Sequence, residues 1–312
     1  MITILMAVYN GGRYLAEQIE SILAQTERGW KLIIQDDCSS DDSADIARQF
    51  AAKYPDKITF IRRETPSGSA MNNFFSLISH VDTDYMMTCD QDDFWLPDKI
   101  RITLGRMKEL EEKAGKDTPL LVHTDLIVAG SRLECLSESL FKYQRLDKTR
   151  DKLNNLLVQN IVTGCTLMAN RALVEKVRHI PPNVIMHDWW LALVATAFGR
   201  IGFVDEPTVL YRQHPGNEVG AKDAGSVLYL FRRAAAVLGS PQKLKTIMSE
   251  IYAQAESFLD TYRGELSEDN LRIIEAFVSL PHVSKFRRLA IIQRYGFWKY
   301  GLARKIGQVI LC

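Results

Sequence analysis

The residues best suited to chemistry stand in one short run, Asp90-Gln91-Asp92-Asp93, followed by Phe94-Trp95-Leu96-Pro97. Carboxylates this close repel one another unless a cation or a basic side chain neutralises them. Mg²⁺ or Mn²⁺ takes one or two carboxylates and fills its shell with phosphate oxygens and water. A cation held here could carry a diphosphate and offset the charge that builds as it leaves. The plain alternative is a solvent-facing acidic turn that caps a helix. A second cluster, Asp36-Asp37 with Ser39-Ser40 and Asp41-Asp42, also follows an apolar run. Asp36 or Asp37 could accept hydrogen bonds from a base N–H or a ribose hydroxyl, whereas Asp41 or Asp42 suits a helix cap. Neither G-x-G-x-x-G nor G-x-x-x-x-G-K-[ST] follows the first apolar run, so dinucleotide and P-loop cradles are unsupported. A nucleotide site here must use carboxylates and a metal.

These clusters need elements to hold them. Ile2–Val8 reads as a buried strand, and Tyr14, Leu15, Ile19, Ile22 and Leu23 fall on one helical stripe. Leu32–Gln35 is a second strand, Ser40 or Asp41 can cap a helix running through Ile46 and Phe50, and Ile58–Ile61 is a third strand. Asn72–His80 reads as helix, Tyr85–Thr88 as a fourth strand, and Pro97 opens another helix. Alternation at this spacing predicts parallel strands joined by right-handed crossovers, with ligands beyond the carboxyl ends. Tyr9-Asn10, Asp36-Asp37 and Asp90–Asp93 all lie at such ends. Further on, Leu120–His123, Val162–Ala169 and Val209–Gln213 read as strands and Asp188–Ala197 as a helix, with a polar insert at Ser131–Asp151. His123-Thr124-Asp125 is placed at another strand end, where Asp125 is either an acceptor contact or a cap. From about Gly225 the pattern is helical, which sets a boundary near residue 220.

The 312 residues suffice for one sizeable α/β core with an appendage, and a net charge of +1 gives no argument for nucleic acid. Five scattered cysteines, Cys38, Cys89, Cys135, Cys165 and Cys312, form no C-x-x-C pair, which argues against structural zinc and for a reducing compartment. No apolar stretch approaches the ~20 residues of a spanning helix. The first strand has neither the basic flank nor the cleavage site of a signal peptide. The expectation is a cytoplasmic protein, or one that sits on the inner face of the membrane without crossing it.

The run Ile4–Gly11, then Gln18–Gln25, Gln35-Asp36-Asp37-Cys38-Ser39 and DQDDFWLPDKI resemble family-2 glycosyltransferases of the GT-A fold. Thr163-Gly164-Cys165, His187-Asp188-Trp189-Trp190 and Tyr211-Arg212-Gln213-His214 follow in the order of that family's rhamnosyltransferase-like branch. The likeness covers roughly residues 2–220. It implies an α/β GT-A domain, a Rossmann-like, mainly parallel sheet flanked by helices, over 1–220, and a helical region over 221–312. It also implies that Tyr9 and Asp37 flank a uracil or thymine base, with Ala7 beside them. Asn72, Asp90, Gln91 and Gly164 would complete the nucleotide-sugar site. Asp92 would be the direct ligand of Mg²⁺ or Mn²⁺, His214 would stand near the metal or diphosphate, and Asp188 would be the catalytic base. The reaction implied is inverting transfer of a hexose, rhamnose from dTDP-rhamnose, to a lipid-linked or surface glycan.

Each residue also has a plainer use. Asp188 could cap the helix beginning at Trp189, Trp189-Trp190 could pack a core, His214 could be an ordinary hydrogen-bonded side chain, and Gly164 could ease strand packing. One departure stands out: relatives carry Arg or Lys after the third strand, and here Ser67–Asn73 holds none. A metal-dependent nucleotidyl- or phosphotransferase would also use carboxylates at strand ends, and a degenerate, membrane-bound scaffold is the non-enzymatic alternative.

From Lys285 to Cys312 there are seven Lys or Arg residues and no Asp or Glu, interleaved with aromatic and aliphatic side chains. Such helices suit an interfacial anchor on anionic lipid. The same faces could instead pack on the catalytic domain or pair two copies.

Overall fold

The computed structural model describes residues 1–217, 220–221 and 241–311. Part of the expected C-terminal helical region, 222–240, lies outside these residues, as does Cys312. The described chain divides into two compact units, each discontinuous in sequence. One comprises residues 1–140, 162–179 and 199–220, and the other 141–161, 180–198 and 221–312. A single cut near residue 220 is therefore too simple: two earlier segments fold with the C-terminal helices.

The first unit runs β1 (Ile2–Val8), α1 (Gly12–Leu23), β2 (Trp30–Asp36), α2 (Ser43–Lys53), β3 (Ile58–Arg62), α3 (Ala70–Ile78), β4 (Tyr85–Cys89), β5 (Phe94–Trp95) and α4 (Lys99–Ala114). It continues with β6 (Leu120–Ala129), β7 (Cys135–Ser137), β8 (Met168–Asn170), α5 (Arg171–Lys176) and β9 (Arg200–Arg212). The sheet order is β3-β2-β1-β4-β8-β6-β9-β5, with β7 on β6. β3, β2, β1 and β4 are parallel, β8 is antiparallel to both its neighbours, and β9 returns parallel to β6.

β1 is the centre, and its composition says why. A strand paired on both edges and covered on both faces is nearly all apolar, and Ile4, Leu5, Met6 and Val8 are fully buried. Each such side chain contributes about 1.5–3 kcal/mol relative to exposure. α1 buries Tyr14, Leu15, Gln18, Ile19 and Ile22 along one stripe. Right-handed crossovers place α1 and α2 on one face and α3 on the other. The strand order therefore reverses between β1 and β4. In open α/β sheets such a switch point opens a crevice at the carboxyl ends, and those ends are Tyr9-Asn10 and Asp90–Asp93.

Three expectations are corrected. Val162–Ala169 is not one strand: Gly164–Thr166 forms a turn of 3₁₀ helix, and only Met168–Asn170 pairs. β9 begins at Arg200 rather than Val209, because Arg200–Val204 pairs with Leu120–Thr124. Asp125 is at no strand end. β6 continues past it through a register shift, and its carboxylate accepts from Ser139 Oγ and from the Leu140 amide at 3.0 Å. It anchors the start of the polar insert, which carries β7 and a helical turn, Leu140–Tyr143.

The second unit holds α6 (His187–Phe198), α7 (Pro241–Tyr262), α8 (Glu268–Val278), α9 (Lys285–Tyr295) and α10 (Leu302–Leu311). Trp190 is fully buried there against Phe258 and Tyr262. Among the described residues no helix is long and apolar enough to cross a membrane.

Candidate active site

The acidic run begins where β4 is tied down. Thr88 Oγ1 donates to the Gly164 carbonyl at 2.6 Å, and Gln18 Nε2 donates to Cys89 Sγ at 2.9 Å. Asp92 and Asp93 are buried and Asp90 is half-buried. Burial, and then the neighbouring carboxylates of Asp90 and Asp92, push Asp93 well above the usual carboxylate range. Its Oδ1 accepts the Arg212 amide at 3.1 Å, and the Cys165 thiol is in hydrogen-bond contact with the carboxyl. Cys165 lies alongside; burial, and then Asp93, raise its thiol and keep it protonated. Donor atoms of Asp90, Asp93 and Cys165 lie within 4.8 Å of one another. A protonated thiol is a poor ligand for a hard cation, so the carboxylates are the fitting part of this group. Crowding of the Asp90, Asp92 and Asp93 carboxyls is what a divalent cation would relieve.

Asp92 meets His214, as their expected shared role requires. Asp92 Oδ2 is 2.7 Å from His214 Nε2, and His214 Nδ1 accepts the Gly216 amide at 3.1 Å. With Nδ1 accepting, the neutral ring carries its proton on Nε2 and donates to Asp92. The imidazole also lies 4.9 Å from the Tyr14 ring.

Arg212 joins these parts. Its guanidinium donates to the Asp92 carbonyl at 2.7 Å, to the Ser131 carbonyl at 2.9 Å and to Glu17, and it lies 4.4 Å from the Tyr14 ring centroid. Lys99 is fully buried near Trp95, 3.5 Å from Thr208 Oγ1. Burial pulls it down to about 8, against the opposing effect of Cys165, Cys89 and Asp93.

On the β1 side Tyr9 is 58% exposed, its ring open to a ligand. Gln91 folds back on its backbone, accepting from Tyr9 N at 2.8 Å and donating to Tyr9 O at 3.0 Å. Gln91 thus clasps the two strand-end loops together. Gly11 makes room for it, since a Cβ there would stand 2.3 Å from Gln91 Cδ. Asn10 is left-handed, at φ 48, and its side chain accepts from Ser40 N at 2.9 Å. Asp41 holds Gly12 N and Ser43 rather than opening α2.

Asp37 accepts from Ser67 N at 2.6 Å and Ser67 Oγ at 2.7 Å, with Arg63 Nε 3.3 Å away. Asn72 Nδ2 donates to Ser67 O at 2.8 Å, so Asp37 and Asn72 grip one residue. Two cations stand at the end of the third strand, Arg63 beside Asp37 and Arg62 beside Asp36. Ala7 pairs with Gln35 one step before the β1 terminus. Asp188 belongs to the other compact unit, half-buried on the first turn of α6, where its carboxylate accepts the Trp189 amide at 2.6 Å.

Arg212, Glu17, Tyr14, Arg63 and Cys165 were not singled out as site residues by sequence. Arg212 and Cys165 sit inside quoted motifs, which was the available signal; Glu17 and Arg63 had none.

The glycosyl transferase family 2 model matches residues 3–177. A dTDP-rhamnosyl transferase, RfbG of Shigella flexneri, is 30% identical over 234 residues, 69% of this chain and 74% of that protein. The putative glycosyltransferase EpsE of Bacillus subtilis is 34% identical over 134 residues, 42% of this chain and 47% of that one. Among solved structures, S. aureus TarS 1-349 in complex with UDP-GlcNAc aligns with a TM-score of 0.57 at 15% identity, covering 94% of this chain and 73% of that one. The mannosyltransferase PcManGT from Pyrobaculum calidifontis, in complex with GDP-Man and Mn²⁺, aligns at 0.51 and 15% identity, covering 94% and 84%. At these identities the structural likeness speaks for the fold alone, and that fold is the expected GT-A arrangement. The family model spans more than half of the chain and crosses both strand ends of the crevice, so the chain belongs to glycosyltransferase family 2 and is a glycosyltransferase.

Proposed function

We propose that this enzyme transfers rhamnose from dTDP-rhamnose, with inversion and with help from Mg²⁺ or Mn²⁺, to a hydroxyl of a lipid-linked or surface polysaccharide. The observation that carries the reading is the acidic run at the switch point, where Asp90 and Asp93 bring donor atoms within 4.8 Å of one another and Asp92 meets His214. The sugar rests on the likeness to a dTDP-rhamnosyl transferase.

In this reading Tyr9 stacks on the base, and Asp37, Ala7 and Asn72 line its edge and the ribose. Asp90, Gln91 and Gly164 border the sugar diphosphate, and Asp92 with His214 would hold the cation. When bound, that cation supplies positive charge to the leaving diphosphate. Asp188 takes the proton of the acceptor hydroxyl as its oxygen bonds to the anomeric carbon and the bond to the diphosphate breaks. One base opposite one leaving group suffices, and no covalent intermediate is needed. The basic C-terminal stretch supports work at the inner face of the cell membrane, where a lipid-linked acceptor would lie.

Calorimetric titration of dTDP, UDP and GDP, with and without Mn²⁺, tests this on the wild type and on Asp92→Ala. Metal-dependent binding of dTDP, lost in the variant, is expected. Preference for UDP or GDP overturns the rhamnosyl donor, and no binding to a folded protein overturns the donor site.

A further inference from the structure

The last two helices expose apolar side chains to solvent. In α10 two polar side chains, Arg304 and Gln308, turn inward. Gln308, 6% exposed, donates to Phe297 O at 2.6 Å and accepts from Lys299 N at 3.0 Å. Arg304, one turn before it, donates to Gln144 O at 3.0 Å and Arg145 O at 3.3 Å. Two apolar side chains of the same helix face out: Ile306 is 51% and Val309 37% exposed. On α9, Ile292 is buried while Phe286 is 86% exposed between the exposed cations Lys285 and Arg287. A helix in water ordinarily keeps side chains such as Phe286, Ile306 and Val309 on its covered face.

The outward residues border a hollow. Gln293, Trp298, Lys305, Ile306 and Val309 line a space of about 440 Å³. Trp298 turns its indole N–H to Gln293 Oε1 at 3.1 Å, giving this wall one polar and one apolar edge, the pairing that favours Trp where water meets lipid. Arg294 and Lys305 are exposed, and no Asp or Glu lies between 285 and 312 to repel an anion.

We infer that this side of α9 and α10 is a docking surface for an anionic lipid bilayer, with Phe286, Ile306 and Val309 entering the acyl boundary and Lys285, Arg287, Arg294 and Lys305 meeting lipid phosphates. Charge complementarity selects the occupant: cations ringing exposed apolar side chains match a negatively charged interface. The inference deepens the peripheral location proposed above and rests on it; where no nucleotide binds, an unchanged urea midpoint serves as the proof of folding.

The test is co-sedimentation of the full chain with phosphatidylglycerol-containing vesicles and with pure phosphatidylcholine vesicles, at low and high salt. The wild type binds the anionic vesicles and is released by salt. Ile306→Asp with Val309→Asp, and separately Phe286→Ser, lowers partitioning by roughly tenfold or more, while Mn²⁺-dependent nucleotide binding stays unchanged as proof of folding. If the wild type binds but these variants bind equally well, this surface is wrong and the peripheral location stands. If the wild type does not bind, both fall. If the wild type sediments as a dimer that the variants dissociate, with vesicle binding unaltered, the face joins two copies and the inference is overturned.

Discussion

His214 Nε2 stands 2.7 Å from Asp92 Oδ2, and the other nitrogen of the same ring accepts the Gly216 amide. The two contacts fix one tautomer, with the proton on Nε2. That tautomer supports Asp92 but cannot ligate a cation through Nε2. Ligation requires the proton on Nδ1, which ends its role as acceptor for Gly216. If His214 is a metal ligand, saturation with Mg²⁺ and dTDP moves the proton to Nδ1, visible in ¹⁵N spectra of the ring, and speeds exchange of the Gly216 amide. An unchanged tautomer in the saturated protein would make His214 a positioning residue for Asp92. Loss of such support by His214→Ala is then expected to cost roughly 10–100-fold in metal affinity.

Gln91 and Gly11 give a prediction of non-additivity. Gln91→Ala removes both hydrogen bonds that hold the Tyr9 backbone, at an exposed site where the loss is about 1 kcal/mol. The larger expected effect is a raised KM for the donor, because Tyr9 is no longer held. Gly11→Ala places a Cβ where Gln91 sits, while Gly11 at φ −108 leaves alanine unstrained. It should therefore reproduce the Gln91→Ala defect, and adding it to Gln91→Ala should cost little more. Fully additive donor KM effects would show that the clash is not what makes Gly11 necessary.

How much of this was legible depends on the reach of each interaction. β1, α1 and β2 were readable because Ile2–Val8 and the Tyr14–Leu23 stripe report burial through local periodicity. That Tyr9-Asn10 and Asp90–Asp93 share the carboxyl ends of the sheet followed from the alternation of strands and helices; the strand order and the Gln91 contact with the Tyr9 backbone did not. Asp125 misled because a register shift, invisible in sequence, carries β6 beyond it and turns its carboxylate to Ser139 and Leu140. Val162–Ala169 misled because an apolar run fits a buried turn as well as a strand, and the Thr88 hydroxyl on Gly164 O favours the turn. The contact of Arg212 with Glu17 spans 195 positions, and no short-range pattern announces it. Asp37 was legible as a strand-end carboxylate, but its grip on Ser67 was not.

Arg212 is expected to matter for architecture before chemistry. It is 2% exposed and its fork serves two carbonyls and Glu17 at once, a geometry that lysine does not reproduce. Arg212→Lys should lower kcat/KM through misplacement of Asp92, and Arg212→Leu should destabilise the fold by about 2–4 kcal/mol in urea titrations. Glu17→Gln should cost well under half of that, because the Glu17 side chain is 48% exposed and solvent screens the pair. Equal losses for Glu17→Gln and Arg212→Leu would show that the ion pair, rather than the grip on the carbonyls, carries the stabilisation.

Acid should unfold this protein through its histidines. Burial pulls His123 and His187 from 6.5 down to about 3. Between those values the unfolded chain binds a proton at each position that the folded chain does not, so stability falls as pH drops through this window. Asp93 acts in the opposite sense. Its folded pKa lies above the ordinary 3.8, so above that pH the folded form keeps a proton that the unfolded form has lost, and stability falls as pH rises. Two histidines outweigh one aspartate, so between roughly pH 4 and 6 stability is expected to fall as pH drops. Lys99, pulled down to about 8, titrates outside that range. Urea titrations in this window should show the slope, and His187→Leu or His123→Leu should flatten it by about one proton each. A bound cation that keeps Asp93 ionised should instead steepen the wild-type slope. If neither histidine variant alters the pH dependence, acid stability is governed elsewhere and the buried neutral rings are not its cause.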